Sequence, residues 1–192
     1  MIKIKQLNMK RLISIVFLVF LSTPVFSQEF DYLTFNDSIM NRVLFDEVIA
    51  YHENLNNKIE LYFSEVGSEL HCKGAVEYMK TNGCRHRPSY LYIGSLPKNE
   101  AIMVLNDVGI DTSEYSYVGR CEILAKIALV GQTTYQEIAK IAINGWLNSI
   151  GHRGTIINLG MFGELEILGI SSSYNEKTRS VDIALTLFSA VK

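Results

Sequence analysis

The sequence predicts a mixed α+β domain, with helices packed on a sheet that ends in an antiparallel hairpin. Three observations carry this. Apolar residues recur at three- and four-residue steps after Asp37 and after Thr134. The period changes to two near the end, where Val181, Ile183, Leu185 and Leu187 alternate with Ser180, Asp182, Ala184 and Thr186. The order is helices first and strands last, which points to segregated rather than alternating elements.

A segment of different character precedes that domain. Lys3, Lys5, Lys10 and Arg11 lead into an apolar run over residues 12–21, and Ser22, Thr23, Pro24, Val25, Phe26 and Ser27 follow. A basic start, an apolar stretch and small residues at −3 and −1 form a secretory signal peptide, with cleavage expected after Ser27. The alternative is a membrane anchor, but an apolar run of about ten residues falls short of the roughly 20 needed to span a bilayer. Gln28 rather than Cys follows the cut, so lipid attachment to a terminal cysteine is not suggested. The domain division is therefore 1–27 signal peptide, 28–37 lead-in and 38–192 globular domain.

Removing the first segment alters the charge. The 192-residue chain carries 18 basic and 20 acidic residues, a formal −2. Four basic residues and no acids leave with residues 1–27, so the mature chain carries −6. With 48% hydrophobic residues the chain is not disordered as a whole. It has no basic stripe, so no nucleic-acid partner is expected. No second apolar run approaches membrane length, so the product is expected to be secreted or periplasmic, without a span.

The elements follow in order. Asp37 or Ser38 caps a first helix carrying Ile39, Val43, Leu44, Val48, Ile49 and Tyr51, which ends at Asn54, Leu55, Asn56 and Asn57. After an apolar stretch over residues 59–66, Gly67 and Ser68 reopen a helix with Leu70, Ala75, Val76 and Met79 inward. Asn82 and Gly83 stop it. Residues 84–120 read as a long, partly ordered connection with a short helix near residues 98–105. Thr134 and Glu137 form a capping box for a helix bearing Ile138, Ile141, Ala142, Trp146 and Leu147, ending near residues 149–151. Residues 165–170 pair with the terminal strand through a turn at Asn175, Glu176 and Lys177.

Few residues invite chemistry. His52 and His71 sit in helical patterns and read as surface or helix-edge positions. His152 stands just past a helix end, where Gly151 permits an unusual turn. His86 lies in the irregular Cys84, Arg85, His86, Arg87, Pro88 run. Glu122 opens an apolar run, 123–129, and a carboxylate there needs a partner. Cys72, Cys84 and Cys121 match no zinc-knuckle spacing, and in an exported chain they suggest one disulfide and one thiol. Sequence alone leaves the pairing open. No H-E-x-x-H, G-x-S-x-G or Cys/His nucleophile signature occurs.

These residues resemble the CAP superfamily, the SCP domain of cysteine-rich secretory, antigen 5 and pathogenesis-related 1 proteins, and its small bacterial members most closely. The signature W-x-x-S-x-G-H-R is present as Trp146, Ser149, Gly151, His152 and Arg153. An L-x-x-x-A-x-x-x-M type of helix is echoed by Leu70, Ala75 and Met79. G-E-N-[IL]-A is echoed loosely by Gly119, Glu122 and Ala125, with Cys121 before the acid and Ile123 after it. Gly169 and Phe188 match the terminal hairpin. The likeness spans roughly residues 38–190.

The resemblance implies an α-β-α sandwich with a central cleft. His86, Glu122 and His152 would be its metal ligands, with zinc the cation that suits two imidazoles and a carboxylate. Ser149 stands where many members carry a second acid. One expectation goes beyond the resemblance: if His86 and Glu122 meet in the cleft, Cys84 and Cys121 stand two and one residues away, and a Cys84–Cys121 disulfide would staple the cleft wall, with Cys72 buried and inert. The expected function is an extracytoplasmic binding or interaction module for a lipid, sterol or cell-envelope component. The alternative is a metal-dependent hydrolase using the His/Glu/His set. A third possibility is an apolar-ligand groove lined by Tyr90, Leu91, Tyr92 and Ile93.

Overall fold

The computed structural model describes residues 34–55, 60–88, 93–131, 134–159 and 165–192. The expected signal peptide, the lead-in up to residue 33 and Tyr90, Leu91 and Tyr92 of the expected apolar groove lie outside these residues. No helix among the described residues is long and apolar enough to cross a membrane.

The first helix, α1 (Asp37–Asn54), is capped one residue earlier than expected. Asn36 holds extended backbone, and its side-chain oxygen accepts the Ile39 N–H at 3.0 Å. Asp37 instead accepts its neighbour's Ser38 N–H at 2.9 Å. After β1 (Leu61–Phe63), Ser64 rather than Gly67 opens the next helical run, its Oγ accepting the Gly67 N–H at 2.8 Å. That run comprises Glu65–Gly67, a π turn at Ser68–Cys72, and α2 (Lys73–Asn82). Ala75, Val76 and Met79 are buried as expected, but Leu70 is 40% exposed. Leu70 precedes Ala75 by five residues, which carries it round the helix from the buried face. Gly83, at φ +75°, ends α2 in a backbone region that favours glycine.

Residues 84–120 are more ordered than the sequence suggests. They hold β2 (Ile93–Ser95), α3 (Lys98–Asp107), a 3-10 turn at Thr112–Glu114 and the start of β3 (Tyr117–Ala128). The helix expected near residues 98–105 is present. The capping box is also present. Thr134 Oγ1 accepts the Glu137 N–H at 3.2 Å, and Glu137 Oε2 accepts the Thr134 N–H at 3.1 Å. They open α4 (Tyr135–Asn148), which stops where Ser149 turns extended, and α5 (Ile150–Ile157) begins at once. His152 therefore sits in the first turn of a second helix, not in a glycine turn.

The chain closes with β4 (Leu165–Asn175) and β5 (Ser180–Val191), joined by a turn over residues 176–179. The five strands run in the order β1-β4-β5-β3-β2, with β1 parallel to β4 and the other neighbours antiparallel. Helices cover both faces. Ile123, Ala125, Ile127, Val181, Ile183, Leu185, Leu168 and Ile170 meet α1 and α4 on one side. On the other, Leu124 and Ala184 meet α2, while Ile167, Phe188 and Ala190 meet α3. The architecture is α+β in three layers, α-β-α, with the terminal antiparallel pair inside it.

Two-sided cover corrects one expectation. The alternating pattern of β5 reads as a half-buried strand, yet residues 180–188 are buried throughout, including Ser180, Asp182 and Thr186. Their polar atoms are met inside the layers. Lys126 Nζ donates to Asp182 Oδ1 at 2.9 Å, and Asn175 Nδ2 donates to Asp182 Oδ2 at 3.4 Å.

Close approach of the helical run to the sheet requires Gly169. A Cβ there would stand 2.8 Å from Gly67 C and 2.9 Å from Ser68 N, backbone atoms that cannot swing aside. Gly169→Ala is expected to cost about 1–3 kcal/mol. Gly145→Ala, in α4 with nothing within 4 Å, is expected to gain about 0.5–1 kcal/mol from helix propensity. Urea unfolding of both variants checks the contrast.

Candidate functional site

The site forms on β3 just past its last described pair with β2, Cys121 with Ile93. In the described ladder β2 pairs with β3 only at Gly119, Arg120 and Cys121. Val118 O accepts from Leu96 N–H on that side at 2.8 Å, so Glu122 and Leu124, two and four residues further on from Arg120, turn their backbones to the same side. The Trp146 indole donates to Leu124 O at 2.8 Å on that side. This bond ties α4 to the central sheet and sets where α5 begins.

Two other segments converge on the same place. Beyond Gly83 the chain passes residues 84–88 and delivers His86, whose Nδ1 lies 2.8 Å from Glu122 Oε1. The start of α5 delivers His152, with ring centres 6.4 Å apart and planes at 68°. The three residues singled out from the sequence thus adjoin in a row, Glu122 against His86 and His86 beside His152. Glu122 is 2% exposed, and its Oε2 is buried with no hydrogen-bond partner among the described residues.

The electrostatics follow from that burial. Loss of solvent pushes the Glu122 carboxyl up, opposed first by His86 and then by the guanidinium charges of Arg87 and Arg120. Burial, and then the charge on His86, hold His152 below the usual histidine value. With Glu122 ionised, His86 donates its Nδ1–H and keeps its basic nitrogen at Nε2. The set can orient an imidazole and receive a donor at Glu122 Oε2.

As a zinc centre the fit is poor. Zinc ligands converge on one point about 2 Å from each donor atom, whereas Glu122 is turned onto His86 Nδ1. No group of three His, Cys, Asp or Glu side chains among the described residues is arranged to hold a metal ion. Glu122 has the placing of a carboxylate that orients a histidine. Ser149 contributes its carbonyl, accepting the Arg153 N–H at 2.8 Å.

The cysteines depart from the expected pairing. Cys72, Cys84 and Cys121 are all free. Successive strand residues face opposite sides, so Cys121 turns from Glu122 toward α5, its Sγ 3.2 Å from Thr155 Oγ1. Cys84 is exposed beyond α2, near the charges of Asp182 and Lys126. Cys72 is buried, as expected of it; its thiol donates to Thr186 Oγ1 at 3.3 Å, and burial pushes it up to about 12.

Two histidines read as surface positions are buried. His52 Nε2 donates to the Ile156 carbonyl at 2.9 Å, joining α1 to α5, and burial holds its pKa down. His71, in the π turn, accepts from Arg120 Nη1 at Nδ1 (3.3 Å) and places Nε2 3.5 Å from Glu100 Oε2. It packs edge-on to Phe188 at 5.2 Å. Arg87, Arg120, Glu100 and His71 form a polar cluster beside the cleft that the sequence reading missed. Ile93, the one described member of the expected apolar groove, is 58% exposed.

No protein-family model matches the chain, and no curated protein matches it. Among solved structures, an outer surface protein from Borrelia burgdorferi is similar at 18% identity, with a TM-score of 0.47 over 86% of this chain and 98% of that one. A likeness of this degree does not define a shared fold.

His71 gives the site's surroundings a pH signature. Burial first, then Arg120 and Arg87, lower it from 6.5 to about 4. The unfolded chain therefore takes up this proton first as pH falls. The stabilisation is intact above pH 6.5 and is lost as pH drops toward 4. Between pH 7 and 4.5, His71→Gln is expected to lose about 2–3 kcal/mol less stability than the wild type. Urea unfolding at the two pH values measures the difference.

Proposed function

We propose that the chain is an exported binding module of CAP type, released by cleavage after Ser27, whose recognition centre is the cleft of His86, Glu122 and His152. The observation that carries this is the buried Glu122 carboxylate. One oxygen is held by a part-exposed histidine and the other has no hydrogen-bond partner among the described residues. Burying a carboxylate costs several kcal/mol unless it is fully paired, and the fold does not recover that cost with the partners described. A ligand that brings a hydrogen-bond donor to Oε2 does.

The three-layer fold and the gathering of Glu122, His86 and His152 support the CAP resemblance, and the −6 mature charge and export signal suit an extracytoplasmic setting. A cell-envelope component, lipid or glycan, is the expected ligand class, with binding rather than turnover as the activity. The metal-dependent alternative needs a convergent ligand set, which the Glu122–His86 pairing disfavours.

Co-sedimentation of residues 28–192 with peptidoglycan sacculi, and separately with phosphatidylglycerol vesicles, tests the reading. Retention on one of them is expected, weakened about tenfold or more in Glu122→Gln and His152→Ala. No retention on either, or variants that bind like the wild type, contradicts it. Stoichiometric uptake in a titration with zinc chloride alone, abolished by His152→Ala, would instead favour the hydrolase.

A further inference from the structure

His86 belongs to an irregular segment, yet its ring must meet a buried carboxylate. Something else has to seat that segment, and the neighbouring side chain does. Arg87 turns back across α2, and its Nη2 donates to the His71 carbonyl in the π turn at 3.1 Å. Its guanidinium lies directly over Gly74, where a Cβ would stand 2.5 Å from Nη1 and 3.2 Å from Cζ. Gly74 sits within α2, with no left-handed backbone to explain it. Any helix former would suit the helix better. The glycine is explained by the space it leaves for Arg87.

We propose that Arg87, seated in the notch at Gly74 and bonded to the His71 carbonyl, is the positioning residue that holds His86 against Glu122. His86 and Arg87 are neighbours in the chain, so anchoring Arg87 on α2 fixes the stretch of backbone from which His86 reaches Glu122. The π turn supplies the acceptor, in keeping with the frequency of such turns beside functional sites. Arg85, on the other side of His86, is exposed and has no such seat.

The functional consequence rests on the cleft being the recognition centre, but the geometry can be tested without a ligand. In the mature chain labelled with ¹⁵N-histidine, the low-field Nδ1–H resonance of His86 reports its bond to Glu122. Arg87→Gln is expected to lose that resonance. Gly74→Ala is expected to lose it as well, because the added methyl displaces the flexible end of Arg87, while its melting temperature stays at or above that of the wild type. Arg85→Gln is expected to keep it. If Arg87→Gln fails to fold, Gly74→Ala carries the test alone. Persistence of the resonance in either variant, once folded, overturns the proposal. Loss of the resonance with no ligand found for the wild type would contradict the recognition reading and leave the positioning role standing.

Discussion

The structure depends on one strand that water does not reach. β5 lies between β3 and β4 along nearly its whole length, and residues 180–188 are buried on both faces. Such a strand is stable only if each face is covered and each inward polar atom is met. The first condition places α1 and α4 on one side and α2 and α3 on the other. The second explains why Asp182 has Lys126 and Asn175, and why Thr186 has Cys72.

The cleft is a consequence of the same constraint. Glu122 is paired in register with Thr186 of β5 and so shares the buried face under α2. It differs from Thr186 in lying just past the last described pair between β3 and its outer neighbour. Past that pair Leu124 O accepts from a tryptophan indole and Glu122 meets His86, beside which His152 stands. A carboxylate in that position is buried by the layers and approached from the edge. Its hydrogen-bond partner, His86, comes from residues 84–88, which do not belong to the sheet.

Much of this was legible in the sequence. The capping box at Thr134 and Glu137, the hairpin strands, the glycine stop at Gly83 and the helix near residue 98 depend on local signals. His86, Glu122 and His152 stood out by their local settings, and a resemblance carried chiefly by residues 146–153 implied that they act as one set; the structure sets His86 on Glu122 and His152 beside His86. What was not legible depended on tertiary cover. The length of β3 was hidden because its first four residues lie in the 84–120 stretch, which read as a connection. His52 and His71 were misplaced because a histidine on a helix looks alike whether or not the core supplies a partner. The Cys84–Cys121 bridge failed on strand alternation, since placing Glu122 in the cleft turns Cys121 out of it. Gly74 was a visible signal, a glycine inside a helix, whose meaning required Arg87.

The central claim is that the bond between a part-exposed histidine and a buried carboxylate holds the cleft together. A double-mutant cycle on stability measures it directly, with His86→Ala, Glu122→Gln and the pair compared by urea unfolding at pH 7. A charge-assisted bond at this depth predicts a coupling of about 1.5–3 kcal/mol. Additive single effects, agreeing within about 0.5 kcal/mol, would contradict the account.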